Sequence, residues 1–164
     1  MHGMVNIGVE LPEVILDILR RNGLDIDYII DVLAVSLNID PPSAARAHAE
    51  LAIEMFNEGL SLIDKGDVVQ SSEKLYKAVE EAVKALALAK NLEEAREALS
   101  KGRWTVSILD KAARRLGDDV WRAWNAAYFL HVNGFHEVRI DMDDVKARIP
   151  IIQELVSRVR GMLS

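Results

Sequence analysis

The sequence predicts an all-α protein. Apolar residues recur with helical spacing along almost all of the 164 residues, and no stretch alternates apolar and polar residues with a period of two. Half of the residues are hydrophobic, so a single core can form without metals or disulfides. The absence of cysteine excludes disulfides, zinc-thiolate sites and thiol catalysis and indicates a reducing compartment.

Residues 1–40 are expected to form an acidic helical hairpin packed on the main domain, which comprises residues 41–164. They carry seven acids against two arginines. The first helix begins after Leu11-Pro12 and stops at Asn22-Gly23, and the second carries Ile26, Ile29, Ile30, Leu33 and Leu37. Residues 1–9 lack the pattern of a signal peptide, and no charge-free apolar run reaches ~18 residues, so we expect a cytoplasmic protein without membrane spans.

Two long helices should begin the main domain as a tight antiparallel hairpin. Asp40 before two prolines is a strong start signal, and Gly66 supplies a left-handed residue that ends the first helix. Asp67 with Gln70 three residues later predicts a capping box. Not all apolar residues fit the stripe facing the hairpin partner, which predicts leftover apolar surface and self-association: Ala45, Phe56 and Leu60.

Shorter helices should follow. Two of them close at Gly102 and Gly117, and Asp118 and Asp119 are expected to cap the next. The last helix should begin after Asp141 and kink or break near Arg148, because Pro150 removes a backbone hydrogen bond.

The charge pattern restricts the partners that the chain can bind. A net charge of −6 disfavours a broad nucleic-acid interface. One basic cluster surrounds Asp110 and is either a local anion-binding face or a solvated helix face: Lys101, Arg103, Lys111, Arg114 and Arg115.

The segment from Trp121 to Glu137 is the candidate site, because it gathers unusual polar and aromatic residues around a helix end marked by Gly134. The candidate ligand-binding residues are Trp121, Asn125, His131, Asn133 and His136. A core role for the aromatic residues and a structural hydrogen-bond network at the helix end are the alternatives. Because His131 and His136 are five residues apart rather than four, we predict no metal site. We also expect no cofactor.

Catalysis has only weak candidates in this segment: His131, His136, Glu137, Arg122 and Arg139. Cleavage of RNA needs an imidazole and a cation on one phosphate. Arg122 and His131 lie about 13.5 Å apart along a helix, since each residue rises 1.5 Å. We therefore expect no RNase activity. Phosphate-binding, dinucleotide, serine-hydrolase and zinc-protease motifs are absent from the sequence.

Two motifs resemble those of the archaeal PaREP proteins. Residues 65–84 resemble a G-D-x-x-Q-A-S-E-K signature followed by an aromatic residue, an alanine and a later lysine, on the positions Gly66, Asp67, Gln70, Ser72, Glu73, Lys74 and Lys84. A second motif, L-H-x-N-F-Y-E, is similar to Leu130, His131, Asn133, Phe135 and Glu137. The sequence departs from the pattern at Ser71, at Tyr76, and at Gly134 with His136. The resemblance covers about residues 40–163.

This family is similar to the HEPN superfamily, which implies an up-and-down helical bundle that is often dimeric. Some HEPN members are RNases with an R-x4-6-H motif, but no arginine stands at that distance before His131 or His136. The resemblance thus implies a non-catalytic, homo-oligomeric binding or accessory module for a nucleotide, RNA or protein partner. The alternatives are a metal-independent RNase using His131 or His136 and an oligomeric scaffold without a ligand.

Overall fold

The computed structural model describes residues 10–24 and 28–164, and all regular structure in these ranges is helical. The prediction of an all-α protein is confirmed. The helices are α1 (Glu13–Arg21), α2 (Tyr28–Ser36), α3 (Pro41–Asp64), α4 (Val68–Ala89), α5 (Glu93–Lys101), α6 (Val106–Leu116), α7 (Asp118–Leu130), α8 (Met142–Lys146) and α9 (Ile149–Arg160). A π-helical turn (His131–His136) extends α7, and a 3₁₀ turn (Gly161–Leu163) ends the chain. Within the two described ranges, no helix is long and apolar enough to cross a membrane.

The predicted hairpin of α3 and α4 is confirmed, and the residues expected to begin and end α3 do so. The Asp40 carboxylate accepts the Ser43 N–H at 3.0 Å and caps α3. Gly66 adopts a φ of +74° and lets the chain reverse, while the N–H of Asp67 bonds the carbonyl of Leu62 at 3.0 Å.

The capping box predicted at α4 is only half formed. The Asp67 side chain accepts the Gln70 N–H at 2.9 Å, but the Asp67 N–H already donates to Leu62 and is not available to the Gln70 side chain.

Helix α4 is the centre of the bundle, since it contacts α3, α6, α7, α9 and the π-helical turn. Residues such as Ala52 and Ala82 have no exposed surface and let the helix axes come close. The leftover apolar surface expected on α3 is wrong, because Ala45 and Phe56 are buried and Leu60 is partly buried against the core. Helix α9 and the 3₁₀ turn pack on α3 and help to enclose it.

In the second half of the chain, one predicted helix boundary is confirmed and one predicted cap is wrong. The break predicted near Arg148 is confirmed, because α8 ends at Lys146 and α9 begins at Ile149 with Pro150 in its first turn. The predicted cap of α7 is wrong: Gly117 is the N-cap residue, and Asp118 and Asp119 lie in the first turn, where their charges favour the helix dipole.

The two N-terminal helices form as predicted within the described ranges, whereas the predicted helical residue Ile26 and the acids Asp25 and Asp27 lie outside them. No residue of α1 is buried, and α2 buries only Ala34. Apolar side chains such as Val14, Ile18 and Val35 are exposed. Helix α2 contacts the bundle through Ala34 and the partly buried Ile30, and Asp31 adds ion pairs with His48 and Lys84.

Candidate functional site

A polar cavity of about 200 Å³ lies where α2, α4, the α5–α6 loop and the π-helical turn meet. Much of the cavity wall is one face of α4, formed by four residues that follow one another at intervals of three or four positions and so lie on the same side of the helix. These residues are Glu73, Tyr76, Glu80 and Lys84. The other elements contribute Tyr28, Asp31, Arg103, Trp104 and His131. Carboxylates, cations and aromatic rings thus face one small space.

Beside this cavity lies a buried ionic network centred on His48 and Lys84. The two ring nitrogens of His48 contact different carboxylates: Nε2 lies 3.1 Å from Asp31, and Nδ1 bonds Glu81. Because a ring nitrogen must carry hydrogen to donate to a carboxylate, contacts with two carboxylates favour the doubly protonated imidazolium. Lys84 Nζ lies 3.3 Å from Asp31, 3.2 Å from Glu81 and 3.6 Å from Glu80.

The pKa values of the network follow from burial and pairing. Burial by itself would lower the pKa of His48, but the hydrogen bonds with Asp31 and Glu81 outweigh it and raise the pKa to about 9. Burial opposes the charged forms of Glu81 and Lys84 as well, yet their mutual attraction lowers the pKa of Glu81 and raises that of Lys84. Removing one partner would leave an uncompensated buried charge, so the network constrains how α2 docks on the bundle.

Glu80 differs from its neighbour because burial raises its carboxyl pKa. It also shares a hydrogen bond with Tyr76, whose own pKa is raised by burial and by Glu80. The cavity wall therefore contains one carboxyl that accepts a proton more readily than an exposed glutamate does.

His131 forms the opposite wall and is fixed on several sides. Its Nδ1 lies 2.8 Å from the Glu73 carboxylate, and its Nε2 lies 3.1 Å from Nε2 of His136. Its ring stacks on Tyr76 with a centroid distance of 4.0 Å and lies nearly parallel to Phe135. The imidazole therefore has a defined orientation between α4 and the π-helical turn.

Gly134 explains how the π-helical turn approaches α4. A Cβ atom at this position would lie 2.1 Å from Oγ and 2.6 Å from Cβ of Ser72, so no larger residue fits without movement. The predicted helix end at Gly134 is wrong: the α-helix gives way to the π-helical turn after Leu130, and that turn continues through His136. Ser72 Oγ is buried here without a hydrogen-bond partner among the described residues.

The two sequence motifs meet at this point of the structure. Glu73 of the first motif bonds His131 of the second, and Ser72 packs against Gly134, which lies between the matching residues of the second motif. The remaining residues of the first motif lie elsewhere: Gly66 and Asp67 form the hairpin turn, Gln70 lies in the first turn of α4, and Lys74 pairs with Glu58 at 2.7 Å. Lys84 belongs to the buried network.

The other residues predicted for the site do not converge on the cavity. Trp121 Nε1 lies 3.3 Å from the Asp110 carboxylate, and Asn125 donates to the carbonyl of Trp121 at 2.9 Å. Asn133 donates to Phe129 at 2.9 Å and accepts from Arg139 at 2.6 Å. His136 reaches His131, while Arg122 and Glu137 are exposed.

The basic cluster around Asp110 is largely paired. Arg114 bonds Asp110 at 3.1 Å, Arg115 bonds Glu94 at 2.9 Å, and Lys101 bonds Glu97 at 2.9 Å. Asp110 also accepts the Trp124 ring N–H at 3.0 Å. Of the cluster, Arg103 is the residue that reaches the cavity.

Several cavity and network residues were missed as site residues in the sequence: Tyr28, Asp31, His48, Glu80, Glu81 and Trp104. His48 sits in an apolar stripe and looks like a core residue until its partners from α2 and α4 are known. Across residues 10–24 and 28–164, no group of three or more His, Cys, Asp or Glu side chains is placed to hold a metal ion.

Comparison with known proteins places this arrangement in a family. A crystal structure of a protein from Sulfolobus solfataricus is 36% identical, with a TM-score of 0.64, and the match covers 69% of this chain and 96% of that one. A solution structure of the same structural-genomics target gives a TM-score of 0.61 at 36% identity and covers 71% and 91% of the two chains. No functionally curated protein matches. The model of the archaeal PaREP1/PaREP8 family matches residues 47–156, and the chain belongs to this family.

Proposed function

We propose that the protein is a non-catalytic binding module whose cavity receives the base of a nucleotide. The observation that carries this proposal is the combination of carboxylates and aromatic rings on the cavity walls, namely Glu73 and Glu80 with Tyr28, Tyr76 and Trp104. Aromatic rings offer stacking surfaces to a base, and carboxylates accept hydrogen bonds from its amino groups. A volume of about 200 Å³ favours a base-sized group over a larger ligand.

Arg103 completes the proposed site. It is exposed at the cavity, where a guanidinium can hold the phosphate of a nucleotide whose base lies inside. A net charge of −6 and the pairing of most basic side chains near α6 disfavour a long phosphate track. A single nucleotide is therefore favoured over extended RNA. The HEPN-like character of the bundle and its assembly into homo-oligomers are part of the same proposal.

Metal-independent RNA cleavage is a second candidate function, because His131 and Arg103 line the same cavity. The arginines considered from the sequence support it less, since Arg139 is engaged by Asn133 and Arg122 is exposed on α7. With Arg122 or Arg139 alone, His131 would have no cation on the same phosphate and would forfeit much of the transition-state stabilisation, so the cleavage candidate depends on Arg103.

Two matched pairs of variants test the binding proposal. The wild-type protein would be titrated with the four nucleoside monophosphates and a short single-stranded RNA, by calorimetry and by NMR. Arg103→Ala should weaken nucleotide binding, whereas Arg122→Ala, which removes an exposed arginine elsewhere, should not. Trp104→Ala should also weaken nucleotide binding, because it removes a ring on which the base can stack, whereas its control Trp121→Ala should not.

The outcomes separate the candidates. Binding of a monophosphate that depends on Arg103 and Trp104 supports the proposal. No binding of any nucleotide, or equal losses in a variant and its control, contradicts it. RNA cleavage that disappears in His131→Ala replaces binding with the enzymatic function.

A further inference from the structure

The π-helical turn brings two histidines together that an α-helix would keep apart. In an α-helix of 3.6 residues per turn, side chains five residues apart point in clearly different directions. Hydrogen bonding from residue i to i+5 widens the turn and moves such residues toward one face. His131 and His136 are five apart, and their Nε2 atoms lie 3.1 Å from each other.

This separation suits two nitrogen ligands on one metal ion. With metal–nitrogen distances of about 2.0–2.1 Å, two ligands are about 3.3 Å apart in a tetrahedron and about 2.9 Å apart at neighbouring corners of a square. The observed distance of 3.1 Å falls between these values. The separation of the two Nε2 atoms would therefore change by only about 0.2 Å on binding.

Contacts with neighbouring side chains also hold His131 in an orientation suited to binding a metal ion. Its Nδ1 faces the Glu73 carboxylate at 2.8 Å, so that nitrogen carries the hydrogen and Nε2 keeps its lone pair. A carboxylate behind a metal-binding histidine fixes the tautomer and orientation of the ring in this way. Stacking on Tyr76 at 4.0 Å restricts the ring further.

We propose that His131 and His136 form a two-histidine site for a divalent transition-metal ion, with Glu73 as the positioning residue. His136 is exposed, so water can fill the remaining coordination positions. No third protein ligand is gathered among the residues that the structure places, so this is an open site with an exchangeable ion and not a closed structural centre. Imidazole ligands favour Cu²⁺ over Zn²⁺ in the general order of metal affinities.

The protons balance through a change of tautomer. In the direct contact between the two rings, the Nε2–H of His136 donates to the Nε2 lone pair of His131. When a metal ion binds both Nε2 atoms, the hydrogen of His136 moves to Nδ1 through solvent, and both rings stay neutral. The site shares Glu73 and His131 with the cavity, but metal binding does not require a nucleotide to be bound.

Calorimetric titration with Zn²⁺ and with Cu²⁺ tests the site. The protein would carry no affinity tag and would have the substitution His2→Ala, which removes an imidazole outside the described residues. We expect one ion per chain, tighter binding of Cu²⁺, and loss of that binding in His136→Ala, whose exposed side chain can be removed with little effect on folding. Glu73→Gln should weaken the affinity about tenfold while both ligands remain. Arg122→Ala is the control.

Circular dichroism of each variant verifies that the fold is retained. Imidazole NMR should show both Nε2 atoms responding to Zn²⁺ in the parent protein. No stoichiometric binding of either ion, or unchanged binding in His136→Ala, would overturn the proposal.

Discussion

Replacing Gly134 with alanine tests the contact that joins the two motifs. The added Cβ would lie 2.6 Å from the Cβ of Ser72, an atom that no side-chain rotation can move away, and 3.2 Å from Cδ1 of Ile140. Overpacking of this kind costs about 1–3 kcal/mol, and the short contact places Gly134→Ala near 3 kcal/mol. The better helix propensity of alanine returns about 1 kcal/mol. We expect a net loss of about 2 kcal/mol in the free energy of unfolding.

Urea denaturation followed by circular dichroism measures this loss. Gly161→Ala is the matched control, because a Cβ there meets nothing within 4 Å and its φ is −59°; it should leave stability nearly unchanged. Ser72→Gly in the Gly134→Ala background removes the clashing atom, so the double variant should be no less stable than Gly134→Ala. Strictly additive losses would refute a direct clash between these two positions.

Four further predictions concern the hairpin, the network, catalysis and assembly. Asp67→Ala should cost about 1 kcal/mol in thermal or urea unfolding through loss of the cap, without affecting ligand binding. Because the pKa of His48 is raised from 6.5 to about 9, the contribution of His48 to stability is complete below pH 6.5 and is lost as the pH rises through 9. The free energy of unfolding measured across this pH range should show the decline, and the decline should be smaller in His48→Gln. Purified protein should leave mixed single-stranded RNA intact; cleavage lost in both His131→Ala and His136→Ala would contradict this expectation. Sedimentation at micromolar concentration should show an oligomer. We expect its interface to cover the exposed apolar residues of α1 and α2 rather than those of α3. A monomer at this concentration would contradict the prediction of self-association.

The parts of the fold that could be predicted from the sequence depend on local signals. Asp40 with its prolines, Gly66 and Pro150 each act on the backbone within one or two turns, so their effects can be deduced without knowledge of the tertiary structure. Ala45 and Phe56 are buried, and the packing of α9 and the 3₁₀ turn on α3, about a hundred residues later in the chain, could not be deduced from the stripe of α3 alone.

The candidate site was only partly predictable for the same reason. The segment around His131 was identified, but its partner Glu73 lies 58 residues earlier. Composition does not indicate that a helix widens into a π-helical turn, so the meeting of His131 with His136 could not be deduced from their spacing. His48 has a charge because Asp31 and Glu81 approach it in the folded protein, and neither is a sequence neighbour.

The close approach of Ser72 to Gly134 has a consequence for exchanging segments between members of the family. The side chain on α4 occupies the space that the missing side chain on the π-helical turn leaves, so the two positions fit only as a matched pair. A chimera that takes its first half from one parent and its second half from another inherits each position from a different source. If the parents carry side chains of different size at position 72 or at position 134, the crossover must not lie between these two positions. Both residues then come from the same parent.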